Sequence, residues 1–193
     1  VKLFGSQWEL MLVLKFRNTL LYLPAMIIFL LSCDDVEYQL DNEFDPENLN
    51  LSSPTIFFHP SSFESIKVGE SDTLEFYSYK VQNASGAHLQ VEFDNEIISI
   101  DSVVYGDFFM NGINAPIMLS DQEDGFLNIY IFLQPTLGTN NTSGTMSMAK
   151  IYFTVNDEGL SPIRYTDKTV LRNEDNVSVF LNSYGEGLIN AIQ

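Results

Sequence analysis

The chain has 193 residues, of which 26 are acidic and 9 are basic, and its net charge is −17 at pH 7. This charge disfavours nucleic acid and anionic membrane surfaces as partners, because phosphate repels a polyanion and no basic patch offsets the repulsion. The sequence has a single cysteine, so no intramolecular disulfide can form, and the folded part must be stabilised by a hydrophobic core.

The first feature along the chain is an apolar segment that ends at this cysteine. Lys15 and Arg17 precede an almost unbroken apolar stretch at 20–31, and Ser32 and Cys33 follow it. The stretch is shorter than the about 20 apolar residues of a membrane-spanning helix. The order of basic region, apolar region, small residue and cysteine resembles a bacterial lipoprotein signal peptide.

This resemblance implies that residues 1–32 are removed and that Cys33 becomes a lipidated amino terminus. The mature chain is then expected to be anchored at the outer membrane or the cell surface of a Gram-negative bacterium. An uncleaved signal anchor and a buried cysteine are the alternatives. Met11 is a second candidate start codon beside Val1. Without residues 1–32 the net charge becomes −19.

Residues 33–54 are expected to form an acidic, extended tether. Seven of the fourteen residues at 34–47 are acidic, and no lysine or arginine occurs between Asn18 and Ile66. A segment of this composition cannot bury enough apolar surface to fold. Its acidic residues are either a signal for surface display or a solvated spacer. The acids at 41–45 also resemble a sparse calcium ligand set, but they lack the loop of an EF-hand, so no metal site is predicted.

Residues 55–193 are predicted to form one all-β domain. Short runs rich in Ile, Val, Phe, Tyr and Thr alternate with clusters of Gly, Asn, Asp and Ser, and no window keeps a helical apolar period. This pattern favours a sandwich of two sheets. The predicted strands cover residues 55–58, 72–81, 88–93, 97–104, 117–120, 126–133, 146–155, 162–165, 177–181 and 187–191.

Alternation along two of these strands predicts which side chains face the core. Those expected to point inward are Leu89, Val91, Phe93, Ala149, Ile151, Phe153 and Val155. Those expected to point outward are His88, Gln90, Glu92, Met148, Lys150, Tyr152 and Thr154.

The order of motifs over roughly residues 64–193 resembles the cohesin domain. The motifs that carry this resemblance are Val68-Gly69-Glu70, the strand at 72–81, the segments 89–94, 97–100 and 105–108, Ser143-Gly144-Thr145-Met146 leading into 148–153, the segment 159–163, and a final strand after Gly185. Each motif is only a strand with a turn. Their order and spacing carry the resemblance.

The resemblance implies a jelly-roll β-sandwich of about nine strands with a non-catalytic role. Cohesins bind dockerin domains on partner proteins, and on cell surfaces they tether polysaccharide-degrading enzymes. The corresponding recognition strands here carry the residues expected to bind the partner: His88, Gln90, Glu92, Asn128, Tyr130 and Phe132. Well-studied dockerin-binding members carry Asn and Asp where this sequence has Gly86 and His88.

Catalysis is not predicted. The chain has two histidines, His59 and His88, and neither forms a sequence pattern with a nucleophile or with zinc-ligand spacing. No cofactor is expected.

Direct binding of polysaccharide is the alternative function. Carbohydrate-binding modules stack aromatic rings on sugars, and the candidate rings here are Tyr77, Tyr79, Tyr130, Phe132 and Tyr152. Aromatic residues on sandwich strands belong more often to the core, however, and Trp8, the only tryptophan, lies in the predicted signal peptide. A dockerin-like protein partner is therefore preferred.

Overall fold

A computed structural model describes residues 50–110, 115–134 and 141–193. The predicted signal peptide, Cys33 and residues 33–49 of the predicted tether lie outside these ranges. Within the described ranges the chain is all β-structure, which confirms the predicted fold class. No helix in these ranges is long and apolar enough to cross a membrane.

The described residues form twelve strands. In chain order they are β1 Thr55–His59, β2 Ser62–Lys67, β3 Ser71–Ala84, β4 Gly86–Glu92, β5 Ile98–Tyr105, β6 Ile117–Glu123, β7 Phe126–Phe132, β8 Thr142–Val155, β9 Gly159–Tyr165, β10 Val170–Arg172, β11 Ser183–Tyr184 and β12 Gly187–Ile192.

These strands pair into two sheets. The five-stranded sheet has the order β11-β1-β3-β8-β5, and the seven-stranded sheet has the order β2-β12-β9-β4-β7-β6 with β10 also paired to β4. One edge of β4 pairs with β7 along the whole strand. Its other edge pairs with β10 near Gly86 and with β9 near Glu92. β4 is therefore central to its sheet.

Nine of the ten predicted segments contain a strand, and the segment at 177–181 does not. It forms only an isolated bridge between Ser178 and Arg172. Its half-buried Val179 and Leu181 pack against the core without joining a sheet, which explains why their alternation resembled a strand. The strands β2, β10 and β11 were not predicted. β10 and β11 have only three and two residues, and β2 is mostly exposed and lacks regular apolar alternation.

The core lies between the two sheets. Its largest fully buried side chains are the phenylalanines at 58, 76, 108, 109 and 153. All seven residues predicted to point inward are buried, so the predicted phase of both strands is confirmed for them.

Met148 does not follow this phase. It was predicted to point outward, but it is fully buried. The pairing of β3 with β8 shifts register between Phe76↔Ala149 and Tyr77↔Ser147, so Met148 is an extra residue on β8. Such a bulge interrupts alternation, and Met148 and Ala149 are consequently both buried.

Candidate recognition face on the seven-stranded sheet

The outward side chains of β6, β7, β4 and β10 form one surface, which we call the β4–β7 face. Strand register arranges it in rows that run across the strands. The first row is Ile117, Phe132, Gly86 and Arg172, and the second is Leu119, Tyr130, His88 and Val170. Two further rows are Asp121, Asn128 and Gln90, and then Glu123, Phe126 and Glu92.

All six residues predicted to bind a partner lie on this face. Register pairs His88 with Tyr130 and Gln90 with Asn128, while Phe132 lies opposite Gly86 and Glu92 lies opposite Phe126. His88, Asn128, Tyr130, Phe132 and Glu92 are at least partly accessible to solvent. Ile117, Leu119 and Arg172 also lie on this face and were not predicted, although alternation in the predicted strand 117–120 was a usable signal for the first two.

The β4–β7 face exposes large apolar side chains that are neighbours. The exposed fraction is 61% for Leu119, 41% for Phe132 and 37% for Tyr130, and Ile117 and Phe126 are similarly open. Single exposed apolar residues are common, but a contiguous group of them typically marks a binding surface.

The ring of His88 stacks on the ring of Tyr130. Their centroids are 4.4 Å apart and their planes differ by 13°. The two residues are register partners on adjacent strands, where side chains on the same face lie close together. The stacked pair is a rigid aromatic element near the centre of the face.

A hydrogen-bond network orients the polar side chains beside this pair. Asn128 Nδ2 donates to the Asp121 carboxylate at 3.3 Å, and because a carboxylate only accepts, this contact fixes the orientation of the amide. The amide oxygen of Asn128 then faces Gln90 Nε2 at 2.8 Å and His88 Nε2 at 3.1 Å. His88 must donate from Nε2 to complete the pair.

Gln90 is a correction to the predicted site. It lies on the outward side of β4, but it is buried with an exposed fraction of 6%. The turn between β9 and β10 covers it: Thr166 Oγ1 donates to Gln90 Oε1 at 2.7 Å, and Thr169 Oγ1 bonds the Gln90 backbone. Gln90 therefore positions Asn128 and is not itself open to a partner.

A groove of about 910 Å³ opens on the β10 side of the face. Gly86, His88, Tyr130, Phe132 and Val170 line its floor, and the turn at 173–176 forms one wall. A smaller depression of about 270 Å³ lies near Asn128 and Phe126 at the other end.

The wall of the large groove is an ordered turn. Asn173 Oδ1 accepts hydrogen bonds from the backbone of Asp175 and Val177, at 3.1 and 2.8 Å. Arg172 Nη1 donates to the Asn176 carbonyl at 2.9 Å, and Asn176 itself has a positive φ of 60°. These bonds hold the backbone of the turn, from which the exposed side chains of Glu174 and Asp175 project at the rim.

Within the described residues, no group of three or more His, Cys, Asp or Glu side chains is arranged to hold a metal ion. His59 lies at the end of β1 in the five-stranded sheet, whereas His88 lies on β4 in the other sheet. The candidate sugar-stacking rings are also divided between the sheets. Tyr77, Tyr79 and Tyr152 belong to the five-stranded sheet, and Tyr130 and Phe132 belong to the seven-stranded sheet.

The comparison with protein families decides the identity of the domain. The model of the cohesin domain matches residues 56–185. The chain belongs to the cohesin family. The match spans both sheets and includes the whole β4–β7 face. No curated protein matches the chain.

Solved cohesin structures have the same fold. The third cohesin ScaC of Acetivibrio cellulolyticus, in complex with the ScaB dockerin, gives a TM-score of 0.60 at 16% identity over 72% of this chain and 99% of that chain. A type II cohesin of the adaptor ScaA from the same organism gives 0.58 at 16%, over 72% and 90%. A non-cellulosomal cohesin of Archaeoglobus fulgidus gives 0.56 at 15%, over 72% and 91%.

Proposed function

We propose that this cohesin is a non-catalytic, surface-tethered recognition module whose β4–β7 face binds a dockerin-bearing or other protein partner. The contiguous exposed apolar group at Leu119, Tyr130 and Phe132 carries the proposal. Membership of the cohesin family supports it, as does the complex of the similar ScaC cohesin with a dockerin.

The hydrogen bonding and burial of the amide side chains on the β4–β7 face favour a protein over a sugar as the ligand. Sugar recognition needs free amide or acid groups for the hydroxyls beside an aromatic ring. Beside the His88–Tyr130 pair, both polar ends of the Asn128 amide are engaged and Gln90 is buried beneath a turn. The exposed acids Glu92 and Glu123 lie on the far side of the Asn128 row, next to Phe126. Aliphatic Ile117 and Leu119 flank the rings instead. Such a surface suits apolar side chains of a protein.

Tyr130 and Phe132 are the expected energetic anchors, because a few aromatic residues usually carry most of the binding energy of an interface. We expect Tyr130→Ala or Phe132→Ala to lower the affinity for a dockerin-bearing partner by about 30-fold, equivalent to about 2 kcal/mol of binding free energy. Tyr152→Ala is the matched control, because Tyr152 is similarly exposed on the other sheet.

The experiment is titration calorimetry with dockerin-bearing proteins secreted by the native organism, beside a polysaccharide array. A partner that binds wild type and the Tyr152 variant equally, but the Tyr130 variant about 30-fold more weakly, supports the proposal. Glycan binding without a protein partner would favour the polysaccharide-binding alternative. Hydrolysis of a glycan by the purified protein would contradict both.

We also propose that Cys33 anchors the mature protein in the outer membrane of a Gram-negative bacterium. We propose that the anchored protein contributes to polysaccharide degradation at the cell surface. Several acyl chains make such an anchor stable, because each buried methylene contributes about 0.8 kcal/mol. Mass spectrometry of the native protein should find acyl mass on an amino-terminal Cys33. Retention of residues 11–32 in the mature protein would exclude a lipid anchor at Cys33.

A further inference from the structure

We propose that Thr73 and Ser102 are O-glycosylation sites on the outer face of the five-stranded sheet. The two hydroxyls belong to the tripeptides Asp72-Thr73-Leu74 and Asp101-Ser102-Val103, and an aspartate precedes a serine or threonine nowhere else in the chain. An acid, a hydroxyl residue and an aliphatic residue in this order resemble the O-glycosylation signal of some Gram-negative bacteria. Both sites lie away from the β4–β7 face, so they add to the proposed function without depending on it.

Strand register places the two tripeptides symmetrically on either side of β8. Tyr152 on β8 is the register partner of Thr73 on β3 and also of Ser102 on β5. Tyr152 and Ser102 are exposed and Thr73 is half-buried, so the three side chains form one row that solvent reaches. The tripeptides are distant in sequence, and only the pairing of β3 and β5 with the same strand brings them together.

Both tripeptides lie along strand edges that no other described strand covers. β5 is the last strand of its sheet and pairs only with β8 among the described strands. β1 pairs with β3 only as far as Glu75, so the start of β3 pairs with β8 alone. The backbone N–H of Thr73 donates instead to the Asp72 carboxylate at 2.7 Å. A transferase that binds an extended acceptor segment can therefore approach each tripeptide from its outer side.

The two tripeptide hydroxyls are available, whereas neighbouring hydroxyls on this part of the sheet are engaged. Thr154 Oγ1 donates to Asp101 Oδ2 at 2.7 Å. Ser99 Oγ donates to the side-chain oxygen of Asn156 at 3.3 Å. Within the described residues, neither tripeptide hydroxyl has a hydrogen-bond partner that it would lose on modification.

A glycan at these hydroxyls is compatible with the fold and protects it. The aliphatic residue of each tripeptide carries the packing, since Leu74 is buried and Val103 packs against the core. Beside them Tyr152 and Val104 expose apolar surface, with exposed fractions of 44% and 36%. A bulky hydrophilic group on this row would shield that surface and block edge-to-edge pairing of the open β5 strand.

The chain supplies only the acceptor oxygen for this reaction. The hydroxyl oxygen forms a bond to the anomeric carbon of a diphosphate-activated sugar. The bond between that carbon and the diphosphate oxygen breaks, and the diphosphate leaves with the bonding electron pair. The hydroxyl proton passes to a base of the transferase. The sugar donor and the transferase are supplied by the host cell.

The test is peptide mapping of the full chain, purified from the native organism, by mass spectrometry with electron-transfer fragmentation. We expect monosaccharide mass increments on Thr73 and on Ser102. Asp72→Ala and Asp101→Ala change exposed residues and keep both hydroxyls, so each should lose the sugar only from the residue that follows it. Ser99→Ala is the matched control, because Ser99 lies on the same edge strand outside either tripeptide, and it should keep both sugars.

Native protein with both Thr73 and Ser102 unmodified would overturn the proposal. Sugars that persist in the aspartate variants would also overturn it, because the tripeptide would then not direct the modification. A sugar at one position alone would support that tripeptide and exclude the other. Partner binding at the β4–β7 face is measured separately, so an unmodified protein that still binds a partner would leave the proposed function standing.

Discussion

The ring of His88 stacks on Tyr130 with the centroids 4.4 Å apart, and its Nε2 lies 3.1 Å from Asn128 Oδ1. One face and one edge of the imidazole are thereby held by neighbours from β7. Since Asp121 accepts from the Asn128 amide nitrogen, the network leaves one arrangement of donors and acceptors. The centre of the face is thus ordered before any partner binds.

The first prediction concerns the tautomer of His88. The neutral ring should carry its proton on Nε2, because Asn128 Oδ1 can only accept. Nitrogen-15 NMR of the side chain distinguishes the two tautomers directly. Asn128→Leu should remove the preference while leaving the His88–Tyr130 stack. A proton on Nδ1 in the wild-type neutral ring would contradict the network.

The second prediction concerns the core. Phe153 is fully buried and packs edge-to-face on Phe63, with ring centroids 5.2 Å apart. Phe153→Ala should lower the free energy of unfolding by about 3–5 kcal/mol. Lys150→Ala should lower it by about 1 kcal/mol or less, because its ion pair with Glu75 is partly exposed. Equal losses in a denaturant titration would show that the predicted strand phase is wrong.

The third prediction tests the bulge on β8. Met148 is fully buried, so Met148→Ala should lower the free energy of unfolding by about 2–5 kcal/mol. Met110→Ala is the matched control, because 47% of Met110 is exposed, and it should change stability by about 0.5 kcal/mol or less. If both methionines tolerate alanine equally, regular alternation extends through residue 148 and the bulge is absent.

The fourth prediction is a loss of stability at alkaline pH. Burial, assisted by the nearby Tyr184, raises the pKa of Tyr165 well above its ordinary value, and burial also raises the pKa of Tyr184. A raised folded pKa means that the folded state holds the proton more tightly. The stabilisation is then complete below the unfolded pKa of about 10 and is lost as pH rises above it.

For Tyr165 alone the slope should approach about 1.4 kcal/mol per pH unit above pH 10. Denaturant titrations between pH 7 and 11 measure this slope. Tyr165→Phe should flatten it, although the hydrogen bond to the Phe57 carbonyl is lost at every pH. Tyr184→Phe should flatten it less, because Tyr184 is partly exposed. An unchanged slope in the Tyr165 variant would show that its phenol is not the group responsible.

The candidate site was predictable where it depends on local pattern. Alternation placed His88 and Glu92 on the outward side of β4, and the cohesin resemblance directed attention to the strand carrying Asn128, Tyr130 and Phe132. Register then brings these residues together. The prediction for Gln90 was incomplete, because its burial depends on Thr166 and Thr169, which lie more than seventy positions away.

What the sequence alone determined is what repeats locally: the β-class of the domain, the inward phase at Leu89 and Phe153, and the order of motifs typical of cohesins. The two-residue period of a strand is imposed by backbone geometry, so it is visible in any short segment. Only the tertiary structure decided the burial of Met148 and Gln90 and the groove above Gly86. Each of these requires one segment to meet a distant one, as when β10 pairs with the start of β4, and local alternation holds no information about which strands will meet.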